Sequence, residues 1–258
     1  MHEITAYLRK LATHTSSRII ESLEELGADA AEKVSKGAYG HLSSRIDVIA
    51  EDALFEALDT FGLTWNVFTE ERGFVDNGDE YTLIVDPLDG SYNAEHGIPF
   101  FSVSLALSRG GLNDVEYAFV RNVPCKIDYW AEKGQGAYKN GTRIRVKDKT
   151  NLFVIYLGKK SHPKAFEIAR KVRRVRSFGS ASLEMIMVAE GIADGCLYLF
   201  KSGGALRIVD IAAATLIVRE AGGRVLDDEF SDLSMNLDFK ERKNVVCVSG
   251  KHVLEVFE

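Results

Sequence analysis

Two spacings of hydrophobic residues divide the 258-residue chain into predicted helices and strands. Near the start, apolar residues recur at helical spacing from Ile4, and Ser43 or Ser44 can cap a second amphipathic helix that ends near Phe61. After residue 100, apolar and polar residues alternate as they do in the strands of an antiparallel meander. The first part of the chain, residues 1–150, is therefore predicted to be an α+β half.

The pattern changes near residue 150. The apolar stretch 152–157 predicts a strand, and Pro163 can open the helix that follows it. Strands and helices then alternate up to a last predicted strand at Val245–Val248. Because such alternation is typical of α/β folds, residues 151–258 are predicted to form an α/β half that packs on the first half.

Composition narrows the class of protein. Hydrophobic residues make up 46% and charged residues 27% of the chain, which is ordinary for a soluble globular enzyme. The net charge of −6 argues against a nucleic-acid partner, because such binding depends on Lys and Arg neutralising phosphates. No apolar run approaches the roughly 20 residues of a membrane span, no signal-sequence pattern is present, and the cysteines are scattered. We expect a cytoplasmic protein that binds neither nucleic acid nor membrane.

The most informative segment spans residues 81–93. Its apolar run predicts a buried strand that ends in Asp86 and Asp89, and a helix start follows at Gly90 and Ser91. Two carboxylates beside free backbone N–H groups could hold a hard divalent cation next to a phosphate. An Asp-rich turn that only caps a helix is the alternative.

Further acidic residues occupy similar places in the predicted elements. Asp47 lies in the first turn of a helix, Glu70 and Glu71 end a strand, and Asp210 opens a helix of the second half. Each acid alone has another explanation, since the helix dipole favours Asp in a first turn and strand ends are often solvated. Together with the two aspartates of the previous segment, these acids predict a converging metal site.

Short motifs occur in one order along most of the chain. They resemble those of the inositol monophosphatase and fructose-1,6-bisphosphatase superfamily of magnesium-dependent, lithium-sensitive phosphatases. The resemblance is closest to the compact archaeal type that hydrolyses both inositol 1-phosphate and fructose 1,6-bisphosphate, and it implies a layered αβαβα sandwich of the two packed halves. The motifs are Asp47-Val-Ile-Ala-Glu, Glu70-Glu-Arg-Gly, Asp86-Pro-Leu-Asp-Gly-Ser-Tyr-Asn, Gly97-Ile-Pro-Phe, Gly134-Gln-Gly-Ala-Tyr, Gly179-Ser-Ala-Ser-Leu, Asp210-Ile-Ala-Ala and Glu220-Ala-Gly-Gly.

The resemblance implies a centre of two to three Mg²⁺ ions, for which Mn²⁺ could substitute. Asp86 would bridge two ions. Glu70 and the backbone carbonyl of Leu88 would complete one site, and Asp89 and Asp210 would complete the other. Oxygen ligands of this kind suit Mg²⁺. Two such ions can bind the attacking and leaving oxygens of an in-line displacement, which the very slow hydrolysis of phosphate monoesters requires.

The resemblance also assigns roles to residues around these ligands. Glu71 would lie near a third, weaker ion together with Glu70. Ser91 stands where the family usually has Thr, and its hydroxyl, hydrogen-bonded to Asp47, would help Glu70 orient and deprotonate the attacking water. The N–H groups of Gly90 and Ser91 would hold the phosphate at the helix start.

Substrate choice is expected to depend on residues of the second half. Arg174 and Arg176 lead into Ser180 of the substrate-side motif and could clamp a distal phosphate, or they could simply end a solvated helix. Arg207 could meet a sugar hydroxyl or a second phosphate, and Tyr156 is a further candidate. The acidic residue that inositol-specific members carry before the last metal aspartate is absent here. Fructose 1,6-bisphosphate is therefore ranked ahead of inositol 1-phosphate.

The resemblance further predicts motion and assembly. Lys36, between flanking glycines, would lie on a mobile loop that swings towards the metals. Family members generally pair as two-fold dimers, and the meander carries the aromatic residues Phe119, Tyr129 and Trp130. We expect a homodimer that pairs through this aromatic surface. The alternative is that these residues simply form the buried face of the sheet.

The leading functional hypothesis is thus a Mg²⁺-dependent sugar-phosphate or polyol-phosphate phosphatase. A nucleotide 3′-phosphatase of the same superfamily is the second hypothesis. A catalytically silent metal-binding or regulatory protein is the third, since folds are reused for other purposes.

Overall fold

Two β-sheets alternate with helices to build the protein in five layers. The computed structural model describes residues 2–37, 40, 42–147 and 150–257. The α-helices in these residues are α1 (Glu3–Leu26), α2 (Arg45–Thr60), α3 (Ser91–Glu95), α4 (Pro163–Lys171), α5 (Ala181–Ala189) and α6 (Ile208–Glu220). Short 3₁₀ helices cover Gly27–Ala31, Leu112–Asp114 and Lys251–Phe257.

The strands form a hairpin, a large sheet and a smaller sheet. In chain order they are β1 (Lys33–Lys36), β2 (Leu42–Ser44), β3 (Asn66–Thr69), β4 (Gly73–Val75), β5 (Thr82–Asp89), β6 (Ser102–Ser108), β7 (Val115–Asn122), β8 (Ile127–Glu132), β9 (Gly136–Lys139), β10 (Thr142–Ile144), β11 (Leu152–Ile155), β12 (Arg174–Arg176), β13 (Gly195–Tyr198), β14 (Arg224–Leu226) and β15 (Val245–Val248). The large sheet has the order β10-β9-β8-β7-β6-β5-β3-β4, and the smaller sheet has the order β12-β11-β13-β15-β14. The strands of the two sheets therefore separate in sequence near residue 150, although the division into two domains stays a prediction.

Three apolar clusters fix the order of the layers. The first packs α1 and α2 on one face of the large sheet. The second, which is the largest, fills the space between the two sheets with α5 and α6. The third covers the outer face of the smaller sheet with α4 and the C-terminal 3₁₀ helix. The predicted αβαβα sandwich is confirmed.

Helix α1 shows how one face of an outer helix is buried. Leu8, Leu11 and Ile19 point into the core beneath it and are fully buried, while charged side chains cover its solvent face. It ends where Gly27 adopts a φ of +53°, which an L side chain rarely adopts. Among the described residues, no helix combines the length and the apolar character needed to cross a membrane.

Helix α6 is apolar almost all round because it lies between the two sheets. Its residues from Ile208 to Val218 are buried, and it contacts β5 to β9 on one side and β14 on the other. The sequence 211–218 is small and aliphatic, which allows both sheets to approach the helix closely.

The predicted aromatic dimer surface is wrong. Phe119 and Trp130 are opposite each other on β7 and β8 and face the core under α1, while Tyr129 faces α5 and donates to Glu190 at 3.0 Å. All three aromatic residues are less than 10% exposed within one chain. Tyr129 and its neighbour Trp130 do point to opposite faces of the sheet, as the alternation predicts, but helices cover both faces. A homodimer itself stays a prediction, without this surface to support it.

Packing around α6 predicts a large difference between two helix substitutions. Ile217→Ala, at a fully buried site, is expected to lower the free energy of unfolding by about 2–5 kcal/mol, because it leaves a cavity between the sheets. Phe166→Ala on α4, where the side chain is 43% exposed, should change it by no more than about 0.5 kcal/mol. Urea unfolding of both variants checks this, and equal losses would contradict the central position of α6.

Candidate active site

A β-bulge in β5 brings the two aspartates of the central motif to one face. Asp86 pairs with Ser104, and Asp89 pairs with Ser102. Two residues therefore lie between the aspartates on β5, whereas one residue lies between their partners on β6. In a regular strand, residues three apart point to opposite faces. The extra residue reverses that phase, and both carboxylates point towards the layer that holds α5 and α6.

The acidic residues predicted from the sequence surround one cavity of about 300 Å³. Strand ends, the bulge and the first turns of α2 and α6 supply its walls. Its lining residues are Lys33, Leu42, Asp47, Glu51, Glu70, Glu71, Asp86, Pro87, Leu88, Asp89, Gly90, Ser91, Arg207 and Asp210.

Asp89 also joins the large sheet to helix α5. Its Oδ1 accepts from the N–H of Ala181 at 3.0 Å, and its Oδ2 accepts from the N–H of Ser182 at 2.9 Å. The hydroxyls of Ser180, at 2.6 Å, and of Ser182 donate to the same Oδ2, and Ser102 donates at 3.3 Å. A carboxylate at this place satisfies the free N–H groups of the helix start. Asp89 is therefore a cap for α5 as well as a cavity residue.

The electrostatics of the cavity reflect crowded negative charge. Burial raises the pKa of Asp86 well above its ordinary value, and Asp89, Asp210 and Glu70 raise it further by repulsion. Burial also raises the pKa of Asp89, although its hydrogen bonds from Ser180 and Ser182 oppose that shift. The site therefore holds more carboxylate charge than its own groups can compensate.

Arg207 brings a positive charge into contact with two of these acids. Its Nη2 donates to Oδ1 of Asp210 at 2.9 Å and contacts Oε2 of Glu70. Its backbone N–H donates to Oδ2 of Asp210 at 2.7 Å at the start of α6. Burial lowers the pKa of the guanidinium, but Asp210 and Glu70 outweigh that effect and raise it above its ordinary value.

The donor set of the cavity fits a hard divalent cation. The facing groups are carboxylates, with no sulfur or imidazole among the described lining residues. The hydroxyl of Ser104, opposite Asp86, is buried without a hydrogen-bond partner. As the side chains stand, no three described Asp, Glu, His or Cys groups lie close enough to enclose one ion. Arg207 contacts both Glu70 and Asp210 in this arrangement, and the acids would have to move closer together to share a metal.

Comparison with known proteins decides the family. A sequence model described as the inositol monophosphatase family matches residues 1–255. The chain belongs to the inositol monophosphatase family. A fructose-1,6-bisphosphatase/inositol-1-monophosphatase of Thermococcus kodakarensis is 36% identical over 251 residues, which cover 95% of this chain and 93% of that protein. The resemblance read from the sequence is confirmed, and so is the enzyme class, a phosphatase acting on phosphate monoesters.

Solved structures agree with the family assignment. A Pyrococcus horikoshii protein with similarities to inositol-1 monophosphatase is 31% identical, with a TM-score of 0.83 over 98% of this chain and 97% of that chain. A structure described as an inositol monophosphatase-fructose 1,6-bisphosphatase is 33% identical, with a TM-score of 0.85 over 99% of this chain and 98% of that chain. A bifunctional NADP phosphatase/NAD kinase of Methanococcus maripaludis is 31% identical, but the match covers only 46% of its length.

Glycine at position 90 makes the corner at Asp89-Gly90-Ser91 possible. Gly90 has a φ of +94°, and a Cβ there would lie 3.1 Å from the carbonyl of Gly179 and 3.2 Å from that of Phe100. Asn93 closes the same corner, since its Nδ2 donates to the carbonyls of Phe100 and Phe178 at 2.7 Å each. The corner between β5 and α3 is thus held against the loop that precedes α5.

Asp47 has a partner that the sequence did not predict. Its Oδ2 accepts from the N–H of Ser44 at 3.0 Å, and its own N–H donates to the Ser44 hydroxyl oxygen at 3.4 Å, which forms the capping box of α2. The Ser44 hydroxyl also donates to Oδ2 of Asp47 at 2.7 Å. The hydroxyl of Ser91 makes no hydrogen bond with Asp47, although both residues line the cavity. The predicted pairing of Ser91 with Asp47 therefore stays a prediction.

Several predicted site residues lie away from the cavity. Arg174 and Arg176 are exposed on β12, the edge strand of the smaller sheet. Tyr156 packs against Phe200 with ring centroids 5.0 Å apart. Lys36 ends β1, and positions 38, 39 and 41 of its loop lie outside the described residues. None of these four residues lines the cavity.

Sequence reasoning missed two buried glutamates that support the site. Glu51 accepts from the hydroxyl of Thr69 at 2.8 Å and from the N–H groups of Glu71 and Arg72, so it holds the strand end that carries Glu70. Burial raises its pKa to about 7. Its position four residues after Asp47, on the same helix face, was the available signal.

The second missed residue is Glu184 of α5. It accepts from the N–H groups of Phe178 and Gly179, the latter at 2.9 Å, and from the hydroxyl of Tyr198. Burial raises its pKa. The contacts fix the turn that delivers Ser180 to Asp89, but nothing in the local pattern marks Glu184 as different from other helix glutamates.

Loss of one hydroxyl donor to Asp89 should weaken the junction between β5 and α5. Ser182→Ala is expected to lower the free energy of unfolding by about 1–3 kcal/mol, because a buried carboxylate loses a donor. Ser202→Ala is the matched control, since Ser202 is exposed and bonds only weakly, at 3.4 Å, to the carbonyl of Gly204. Thermal or urea unfolding gives the comparison, and equal stability of the two variants would contradict the anchoring role of Asp89.

Proposed function

We propose that this family member is a Mg²⁺-dependent phosphatase that hydrolyses fructose 1,6-bisphosphate and inositol 1-phosphate. The observation that carries the proposal is the meeting of Glu70, Asp86, Asp89 and Asp210 from three separate places in the chain at one cavity. Acids gathered in this way repel one another, and this repulsion adds to the effect of burial in raising the pKa of Asp86.

The ligand roles are those that the family resemblance implies, and they stay proposals. Glu70, Asp86, Asp89, Asp210 and the carbonyl of Leu88 would hold two Mg²⁺ ions, and Mn²⁺ could replace them. Glu71, beside Glu70 on the cavity wall, would serve a third ion. When bound, the metal would lower the pKa of a coordinated water and offset charge on the leaving oxygen.

The chain's own residues would position the reactants. Glu70 and the hydroxyl of Ser91 would orient the attacking water and accept its proton, with Asp47 nearby on the cavity wall. The N–H groups of Gly90 and Ser91, at the corner before α3, would bind phosphate oxygens. Serine keeps the hydroxyl of the more usual threonine but has more rotamers, so we expect activity with a less fixed hydroxyl.

Support for the substrates comes from relatives and from charge. Relatives named as fructose-1,6-bisphosphatase/inositol-1-monophosphatase match most of the chain. Arg207 lies inside the cavity and could meet a sugar oxygen or a second phosphate. Arg174, Arg176 and Tyr156 stay candidates although they do not line the cavity. Ser180 also stays a candidate, and it contacts the cavity residue Asp89.

A nucleotide phosphatase is the second candidate function. The relative with NADP phosphatase in its name covers 92% of this chain at 31% identity, which keeps a phosphorylated nucleotide among the substrates to test. The third hypothesis, a silent metal-binding protein, would require that the same acids hold metal without turnover. The protein is expected to act in the cytoplasm on small phosphate esters.

Phosphate release tests the proposal directly. The purified protein is expected to release phosphate from fructose 1,6-bisphosphate and inositol 1-phosphate with Mg²⁺ and not with EDTA. Asp86→Asn should lower kcat by more than about 100-fold, because even outer partners of metal ligands cost roughly 10–100-fold when lost. Asp52→Asn, on the exposed face of α2 beside Arg72, is the control that should keep its rate.

The outcomes separate the three hypotheses. Release from NADP or a nucleotide 3′-phosphate, with neither sugar nor polyol phosphate cleaved, would favour the second candidate. Metal binding without release from any substrate would favour the silent protein. Wild-type turnover in Asp86→Asn at saturating Mg²⁺ would remove the two-metal assignment.

Metal removal should also change stability. If Mg²⁺ binds only the folded protein, a hundredfold excess over its dissociation constant adds about 2.7 kcal/mol to the free energy of unfolding. Melting curves with EDTA and with excess Mg²⁺ measure this, and Asp86→Asn should show a smaller separation between them. Coincident curves for the wild-type protein would argue against a converged acidic site.

A further inference from the structure

Arg207 occupies the place where two metal-site carboxylates meet. Its guanidinium extends from α6 to Glu70 at the end of β3, and its side chain is 18% exposed. Nη2 contacts Glu70 and donates to Oδ1 of Asp210, while Nε lies 3.4 Å from Oδ2 of Asp210. Both oxygens of Asp210 and one oxygen of Glu70 are thus engaged by one cation.

A count of charges shows why this contact suits the metal-free protein. Glu70, Asp86, Asp89 and Asp210 can carry four negative charges at the cavity, and Arg207 supplies one positive charge. Lys33 also lines the cavity, but its Nζ lies 3.7 Å from Glu95. Two divalent cations would bring four positive charges to the same acids. Once they are bound, the guanidinium would face like charge and its attraction to these carboxylates would fall.

We propose that Arg207 is a displaceable counter-ion, which holds Glu70 and Asp210 while the metal site is empty and turns to the substrate phosphate once Mg²⁺ binds. The inference rests on the metal dependence proposed above. Carboxylate oxygens held by a guanidinium are poor ligands for a second cation a few ångströms away, so the metal and Arg207 compete for them.

The local backbone allows this exchange without unfolding. The capping bond from the backbone N–H of Arg207 to Oδ2 of Asp210 fixes the start of α6 independently of the guanidinium. Only side-chain torsions need to change for Nη2 to leave Glu70 and Asp210. A guanidinium released in this cavity can bind a phosphate with two parallel hydrogen bonds. Metal occupancy would therefore prepare the site for the anionic substrate.

Arg207→Gln separates this role from a purely structural one. Without its counter-ion the metal-free protein should melt at a lower temperature, yet it should bind Mg²⁺ about 10-fold more tightly than the wild-type protein, because the competitor is gone. Its KM for the phosphate substrate should rise at saturating Mg²⁺. A residue that only supports the fold would lower stability and metal affinity together.

Arg219→Gln is the matched control. Arg219 lies on the same helix, is half-buried, and bonds to Asn113 and the carbonyl of Leu233 at 2.8 Å each, away from the cavity. This variant should lose stability but keep the Mg²⁺ affinity of the wild-type protein. Calorimetric titration of MgCl₂ into EDTA-treated, dialysed protein, with melting curves of the same samples, supplies both readouts.

The result that overturns the inference is distinct from failure of the proposed function. Equal or weaker Mg²⁺ binding by Arg207→Gln, with normal binding by the wild-type protein, would remove the counter-ion role alone. No Mg²⁺ binding by the wild-type protein would remove both proposals. If Arg207→Gln does not fold, Arg207→Lys is titrated instead. Its single ammonium cannot bridge both acids as the guanidinium does, so wild-type affinity in Arg207→Lys would also overturn the inference.

Discussion

The rest of the molecule depends on how Asp89 is held. This one carboxylate receives two backbone N–H groups and two hydroxyls from the first turn of α5, and it also faces the acidic cavity. The helix start supplies the partial positive charge that a buried carboxylate needs. In return, the carboxylate fixes α5, and with it the layer between the two sheets, to the end of β5. The contacts that fix the central layer therefore also fix one wall of the cavity.

Most of the fold could be predicted because its elements have strong local signals. The 3.6-residue spacing gave α1 and α2 within a few residues of their ends, and the meander strands followed from alternation. Short elements without a pattern of their own were missed. The segment of β12 showed only closely spaced arginines, and the segment of β14 showed only the two glycines that precede it, so neither was predicted as a strand. Both strands exist because a neighbouring strand offers hydrogen bonds, which is tertiary information.

The acidic site was predictable in composition but not in its contacts. Acids at strand ends and helix starts gave the residues that line the cavity, since those positions converge in layered folds. The contacts between them depend on side-chain directions and on residues far apart in sequence. Glu70 and Arg207 are 137 positions apart, and no local spacing indicates that they touch. The arginines of β12 failed to reach the cavity for the same reason.

The bulge in β5 makes the site a matter of strand phase as well as of residue identity. Asp86 and Asp89 face the same way only because β5 has one more residue between them than β6 has between their partners Ser104 and Ser102. Insertion of one residue between Ser102 and Ser104 would leave every acid in place and would restore an unbroken ladder, but Asp86 and Asp89 would then point to opposite faces and Asp89 would turn away from α5. A descendant with that insertion would keep all the carboxylates that an inspection of sequence could score, while losing the geometry that gives them a purpose. The length of β6 opposite the two aspartates is thus as much a part of the inherited site as the aspartates themselves.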